Sequence, residues 1–413
     1  MSILRFMTSG ESHGKALAGI IEGIPSGLQL SSEDIDRDLK RRQGGYGRGG
    51  RMKIESDHAE ILSGVRWGKT IGSPITLLIE NRDYKNWIEG MSPDAMYEGS
   101  IAAVTRPRPG HADLAGGIKY ASRDMRDILE RSSARETAMR VALGAVAKKF
   151  LMEFDIQVGS YVVQIGTQKT EIGSEHLRER DLLGIFRKAE KSPVRCPDED
   201  ATEKIVRLID RTLREGNSLG GIFEVFVIGA PVGLGSHVQW DRRLEARLSR
   251  ALMSIQAVKG VEVGLGFGMS VKRGSEVMDE IFYNRKVSGL KAKVAKRSSD
   301  ALRFTARGIY RKTNNAGGIE GGMANGMPII LRAAMKPIPT LRKPLRSIDI
   351  LTKNPVKAAY ERSDICAVPA ASVIGEAMAA LTIAGAFLEK FGGDSMIEVK
   401  RNYDSYMEYV KNF

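Results

Sequence analysis

Residues 106–137, RPRPGHADLAGGIKYASRDMRDILERSSARET, decide how the rest of the chain is read. A Gly-Pro-rich loop holds His111, one of five histidines, beside Arg106 and Arg108. The stretch then turns helical, and the helix carries Arg131, Ser132, Ser133 and Arg135. Cations around one imidazole, followed by hydroxyls and guanidiniums, suit a multiply anionic ligand. Arg131 and Arg135 stand one turn apart, so both can point at the same ligand. The helical pattern runs from Ser122 to Phe154, with Met125, Ile128, Leu129, Ala138, Val141 and Leu143 on its apolar faces.

Upstream lies the turn Gly10-Glu11-Ser12-His13-Gly14, and ALAGIIEGIP then reads as a buried strand ending at Pro25. Ser31 and Ser32 cap a helix from about Glu33 to Arg42, whose cationic end suits the helix dipole. In GGYGRGGRMKIES, Gly45, Gly47 and Gly50 match G-x-G-x-x-G. The dinucleotide motif needs a strand before and a helix after, and the order here is reversed. That loop reads better as an anion-binding one using Arg48 and Arg51 than as a single RGG-type RNA tract. AEILSGVRWG and SPITLLIEN read as paired strands. Gly68-Lys69-Thr70 is no P-loop end, because the required upstream glycine falls on Ser63. Residues 82–105 read as a long polar loop around Trp87 and Pro93.

Downstream, residues 156–166 read as a strand and 175–190 and 200–215 as helices. GGIFEVFVIGAPVGLG reads as a strand pair, 242–256 as a helix ending in Gln256-Ala257, and VKGVEVGLGFG as a strand. Residues 283–313 are a basic excursion, with nine lysines and arginines from Arg285 to Arg311. The glycine-dense turn NNAGGIEGGMANG leads into MPIILRAAMKPIPT. There Lys336-Pro337-Ile338-Pro339-Thr340 is rigid and extended, and Lys336 can reach an anion. Asp364, in RSD, either caps the last helix or serves as a base. That helix runs from about Ser372 to Lys390, Ala-rich and almost uncharged. No linker divides the chain, so residues 1–413 are expected to form one large α+β domain.

A net charge of +13 calls for an anionic partner. Nucleic-acid proteins add stacking surfaces or a reader helix, whereas here aromatic content is 6% and the arginines cluster in short Gly-rich loops. Small polyanions in a concave site are therefore favoured over nucleic acid. No run approaches 18 apolar residues, so no membrane span is expected. MSILRFMTSGESHG lacks the apolar core of a signal peptide, which points to the cytosol. Cys196 and Cys366 read as two reduced thiols. No histidine pair has metal-ligand spacing. His13 and His111, in Gly-flanked turns, read as exposed and functional, and His58, His176 and His237 as ordinary surface histidines.

With these residues assembled, the chain resembles the chorismate synthase family from end to end. GESHGKALAGIIEGIP (Gly10 to Pro25), ERSSARETAMRVALGAV (Glu130 to Val146) and RSDICAVP (Arg362 to Pro369) match its signatures. RRQGGYGRGGRM, RPGHAD, GGIEGGMANG and KPIPT fall in the family's order between them. The resemblance implies a β-α-β sandwich with helices between antiparallel sheets, assembled as a homotetramer. It implies a lyase of the shikimate pathway, converting 5-enolpyruvylshikimate 3-phosphate to chorismate by 1,4-anti elimination of phosphate. Reduced FMN is required without net redox change, and NADPH is a candidate reductant. By motif, His13 would protonate the departing phosphate, and His111 would sit near the pyrimidine side of the flavin and help protonate or stabilise its reduced form. Asp364 would work with flavin N5 in removing the C6 proton. Arg42, Arg48 and Arg135 would hold substrate anions, with Ser12 beside them, and the first two are also associated with NADP. The flavin would be contacted by Arg131, Ser132, Ser133, Gln256, Ala257, Gly321, Lys336, Pro337, Ile338, Pro339, Thr340 and Arg362. Segment 283–313 carries none of the family motifs and reads as a lid or insertion.

Overall fold

The computed structural model describes residues 4–48, 56–172, 179–283, 308–360 and 364–413. Strands β1 (Arg5–Ser9), β2 (Ala16–Glu22), β3 (Glu60–Ser63) and β4 (Ile75–Glu80) form one antiparallel sheet in the order β1-β2-β4-β3. In β4, Ile75, Leu77 and Ile79 are buried while Thr76 and Leu78 are half-covered, the period-two pattern of a strand with one face on a core. A second antiparallel sheet has the order β8-β9-β7-β5-β6. Its strands are β5 (Gln157–Ile165), β6 (Gln168–Lys169), β7 (Gly221–Ile228), β8 (Val258–Val263) and β9 (Ile329–Met335).

Among the described residues, the helices of seven residues or more are α1 (Ser32–Gln43), α2 (Asp113–Lys119), α3 (Arg126–Ser132), α4 (Thr137–Met152), α5 (Glu179–Lys191), α6 (Glu199–Glu215), α7 (Leu244–Met253), α8 (Val368–Phe391) and α9 (Met396–Asn412). Helix α4 lies against β1, β2 and β4, while α8 lies against β5 and β7, and the two helices pack on each other. The expected sandwich, with helices between antiparallel sheets, is thus the observed α+β architecture. Small residues set its thickness. A Cβ added at Gly144 of α4 would sit 2.3 Å from the Ala377 Cβ of α8, so only glycine lets these backbones approach so closely.

Helix α8 corrects the expectation that no segment reaches membrane-spanning character. Its mean hydropathy is 1.7 over an 18-residue window, and 94% of that window is buried inside the protein. Its apolar surface is covered by α1, α4, α7, β5 and β7. One charge sits inside it. Glu376 is fully buried, and its carboxylate accepts from Arg41 (2.8 Å), Lys148 (2.5 Å), Arg195 (3.1 Å) and Ser160 (2.6 Å). Burial alone would raise its pKa, but the surrounding cations hold it well below the carboxylate range. The ion cluster ties α1, α4, α8 and β5 together.

Several expectations differ. The helix foreseen over 122–154 is broken, because Ser133 is extended (φ −62°, ψ 140°) and caps a short 3-10 turn at Ala134–Glu136. GGIFEVFVIGAPVGLG supplies one strand, not two: Gly229 and Gly233 turn the chain at φ 89° and 83°. Helix α8 begins at Val368 with Pro369 in its first turn, and its N-cap is Ala367. Asp364 is therefore not its cap. Helix α9 follows what was expected to be the last helix, and α2 was not foreseen. The basic excursion is framed by Ile281–Tyr283 pairing with Ile309–Arg311. Its interior, 284–307, lies outside the described residues, as do Arg51, His176 and Arg362.

Candidate active site

The break after α3 brings the first group of expected residues together. Ser12 donates its backbone N–H to the Glu130 carbonyl (3.0 Å), and the hydroxyls of Ser12 and Ser133 are 3.0 Å apart. His13 meets one carboxylate twice: its backbone N–H reaches Glu130 Oε2 and its Nδ1 reaches Oε1, both at 2.8 Å. The Trp87 ring packs on the imidazole with centroids 4.4 Å apart. The His13 side chain is only 13% exposed and that of His111 only 16%, so neither is the open surface histidine expected.

Next to this turn is a nest of guanidiniums. Arg135 donates to Asn81 Oδ1 (2.8 Å) and Asp57 Oδ1 (2.5 Å). Arg42 pairs with Asp57 Oδ2 (3.5 Å) and donates to Thr137 Oγ1 and the Ala134 carbonyl. Arg48 pairs with Asp364 at 3.1 Å. Burial lowers the Arg42 pKa to about 10, and Asp57, Arg48, Arg135 and Asp364 act on it through their charges. Three guanidiniums thus share one neighbourhood with two carboxylates. The excess is positive, as a site for an anion requires. Arg131 does not join them. It donates to the carbonyls of Gly10 (2.9 Å) and Thr8 (2.7 Å), pinning the turn that carries His13. The expected pairing of Arg131 with Arg135 on one helical face is therefore corrected. Ser132 bonds back to the Leu129 carbonyl.

A second group surrounds His111. Its Nδ1 lies 2.5 Å from Asp113 Oδ1, and Arg108 donates to Asp113 Oδ2 (2.9 Å) and Thr340 Oγ1 (3.1 Å). Burial pushes Asp113 upward in pKa, but hydrogen bonds from His111 and Arg108 outweigh it and leave the carboxyl well below its usual range. Lys336 Nζ donates to the Gly110 carbonyl (2.5 Å), and Ser218 fixes the Ile338 carbonyl within the segment containing Pro337 and Pro339. Burial, helped by Lys259, lowers the Lys336 pKa. The two groups meet through Ala257, whose carbonyl accepts from Lys336 N, and Gln256, whose amide donates to Glu136. Ala257 has φ 67°, a conformation that a non-glycine residue adopts at a cost. Gly321 stands in the turn between Ile319–Glu320 and Met323–Ala324, and its hairpin bridges to Gly235.

Several partners escaped the sequence reading: Asp57, Asn81, Trp87, Asp113 and Glu130. Asp113, two residues after His111, had a local signal. The others are joined to their partners only by the fold. A cavity of about 520 Å³ between loop 82–105 and α3 is not the anion site. Glu11, Glu89, Asp94, Glu98, Asp124, Asp127 and Glu130 line it, with Arg126 as the single cation among the described residues in its wall.

Two antiparallel sheets around buried helices, with a polar nest of arginines, serines and His13 at one helix break, define an enzyme-like α+β sandwich with a cationic candidate site. A sequence profile described as chorismate synthase matches residues 4–388. The chain is 56% identical over 414 residues to the chorismate synthase of Geobacter metallireducens, covering 100% of each chain. It is 55% identical over 413 residues to that of Aquifex aeolicus, covering 99% of each. A crystal structure of a chorismate synthase superposes with a TM-score of 0.78 at 46% identity, over 99% of both chains. The chain belongs to the chorismate synthase family.

Proposed function

We propose that this chain eliminates phosphate from 5-enolpyruvylshikimate 3-phosphate to give chorismate, with reduced FMN bound and no net reductant consumed. The observation that supports this most is the nest of Arg42, Arg48 and Arg135 beside the His13–Glu130 pair. The substrate carries a phosphate and two carboxylates, and guanidiniums bind such groups through paired N–H donors. In this reading Arg42, Arg48 and Arg135 bind the anions, and Ser12 with Ser133 adds hydroxyl donors. His13 delivers a proton to the departing phosphate, and Asp364, held by Arg48, takes part in removing the C6 proton.

The residues assigned to FMN fit such a group. Among the described residues Gln256 Oε1 is buried without a partner, an acceptor suited to an N–H on a flavin's pyrimidine edge. A Cβ at Gly321 would meet no atom within 4 Å, so that backbone is open to a planar ligand. Ser132, Ser133, Gln256, Ala257, Gly321 and the segment Lys336 to Thr340 would hold the cofactor, and Arg131 would serve by fixing the Gly10 turn. His111, backed by Asp113, would face the cofactor. When bound, reduced flavin supplies an electron transiently to the substrate and regains it. Two identities of the reductant are separated by one assay. Anaerobic phosphate release is measured with chemically reduced FMN, then with oxidised FMN and NADPH. Release in the first arm with flavin still reduced at the end is expected. Oxidation of one flavin per turnover would instead mark an ordinary oxidoreductase. Release in the second arm would assign NADPH as reductant.

A further inference from the structure

We propose that Glu130 is the positioning residue that fixes the ring orientation and tautomer of His13. The inference rests on the reading of His13 as the acid at the phosphate, and it names the group that makes the imidazole fit for that task.

The two oxygens of one carboxylate hold two N–H groups of one residue, the backbone amide of His13 and its ring Nδ1, both at 2.8 Å. Backbone and side chain are thereby fixed at once. Glu130 is 3% exposed and paired with Arg126 at 3.3 Å. Burial pushes its carboxyl upward, yet the hydrogen bonds from His13 bring it below the ordinary range, so it is ionised at neutral pH. An ionised carboxylate only accepts, so Nδ1 carries the hydrogen and Nε2 is left as the nitrogen that exchanges a proton. The Trp87 ring packs on the imidazole at 4.4 Å, and the Arg126 guanidinium lies 4.7 Å from the Trp87 ring centre. One helix, α3, therefore supplies both the carboxylate that orients the ring and the cation that holds its aromatic cover.

The charged groups nearest the imidazole are the Glu130 carboxylate and, on the same helix, the Arg126 guanidinium paired with it. His13's own turn adds Glu11 and Lys15, while Arg131 is committed to Gly10, and loop 82–105 contributes the uncharged Trp87 ring. Two substitutions consequently separate the role of the carboxylate from that of the cation.

The test uses the full chain with histidine labelled at Cε1 and the ring nitrogens. His13→Gln assigns the His13 signal among the five histidines. Wild-type His13 is expected as the Nδ1–H tautomer. Glu130→Gln should abolish that preference and give a mixture of tautomers, because the amide can meet Nδ1 with either its oxygen or its NH2 group. Arg126→Met, which leaves the carboxylate in place, should keep the Nδ1–H form. With chemically reduced FMN, Glu130→Gln should lower kcat about 10²-fold with KM within about threefold, since the loss falls on proton transfer rather than binding. An unchanged tautomer in Glu130→Gln would overturn the proposal, as would loss of the Nδ1–H form in Arg126→Met. If His13→Gln turned over normally while Glu130→Gln changed the tautomer, the assignment of His13 as the acid would fail and the positioning by Glu130 would stand.

Discussion

At the scale of single residues, Asp364 is the group whose reading changes most. The structure removes it from the α8 N-cap and pairs it with Arg48 at 3.1 Å. Asp364→Asn keeps the shape and loses the charge, so turnover should drop about 10² to 10⁴-fold while the melting temperature stays close to wild type. A lowered melting temperature with normal turnover would show that the carboxylate is structural. Arg48→Ala should raise KM for the substrate by about 10- to 100-fold, matching the 1.5–3 kcal/mol of a charged hydrogen bond, with the FMN dissociation constant little changed. An unchanged KM would remove Arg48 from the substrate site. What the sequence disclosed here was residue type, not partnership. His111 and Asp113 sit two apart and could be read as a pair. Glu130 and His13 are 117 residues apart and Asp57 lies 78 from Arg135, so only the fold discloses those pairs.

Secondary elements were most legible where periodicity was clean. Strands β2, β4, β5 and β9 and helices α1 and α6 stand where alternation and capping placed them. The failures have local causes. Ser133 breaks the long helix because its hydroxyl accepts from Arg135 N (3.3 Å), offering the backbone an alternative to the helical ladder. Gly229 ends β7 because the chain passes too close to Asp155 for a side chain: a Cβ there would sit 2.2 Å from that carbonyl oxygen. The contact between α4 and α8 is the element-scale feature with the sharpest consequence. Beyond the Ala377 Cβ, the Cα of Ala377 lies 2.6 Å from the Cβ position at Gly144, so backbone must shift if a side chain is added. Gly144→Val is expected to cost about 1–3 kcal/mol or more through overpacking. The denaturant midpoint should fall by that free energy divided by the slope, with the slope itself unchanged. A midpoint within error of wild type would mean that the two helices part freely.

On the scale of the whole molecule, the sandwich was implied by the resemblance rather than by any pattern of strands and helices. Its sheet order joins β7 to β5 and β9 across long stretches of chain, and no local periodicity encodes that pairing. The same non-local folding concentrates charge inside a protein of net charge +13. Glu376, Asp38 and Asp113 are all buried, and desolvation alone would raise each of them; cations and hydrogen bonds instead hold their pKa values below the ordinary carboxylate range. The unfolded chain takes up protons at such groups near pH 4, whereas the folded chain does so only at lower pH. Between those limits the unfolded state binds more protons, so stability must fall as pH falls and be restored as it rises. The melting temperature is expected to change little from pH 8 to about 5.5 and to drop steeply below about pH 5. Glu376→Gln tests which group dominates. At pH 7 it leaves Arg41, Lys148 and Arg195 around a neutral amide, which should cost about 3–5 kcal/mol. The stability that Glu376 confers in the wild type disappears as acid protonates its unfolded form and then its folded one. The gap between wild type and variant in urea should therefore narrow from pH 7 to pH 3. A gap of constant size would place the acid sensitivity of this fold elsewhere, in Asp113 or Asp38.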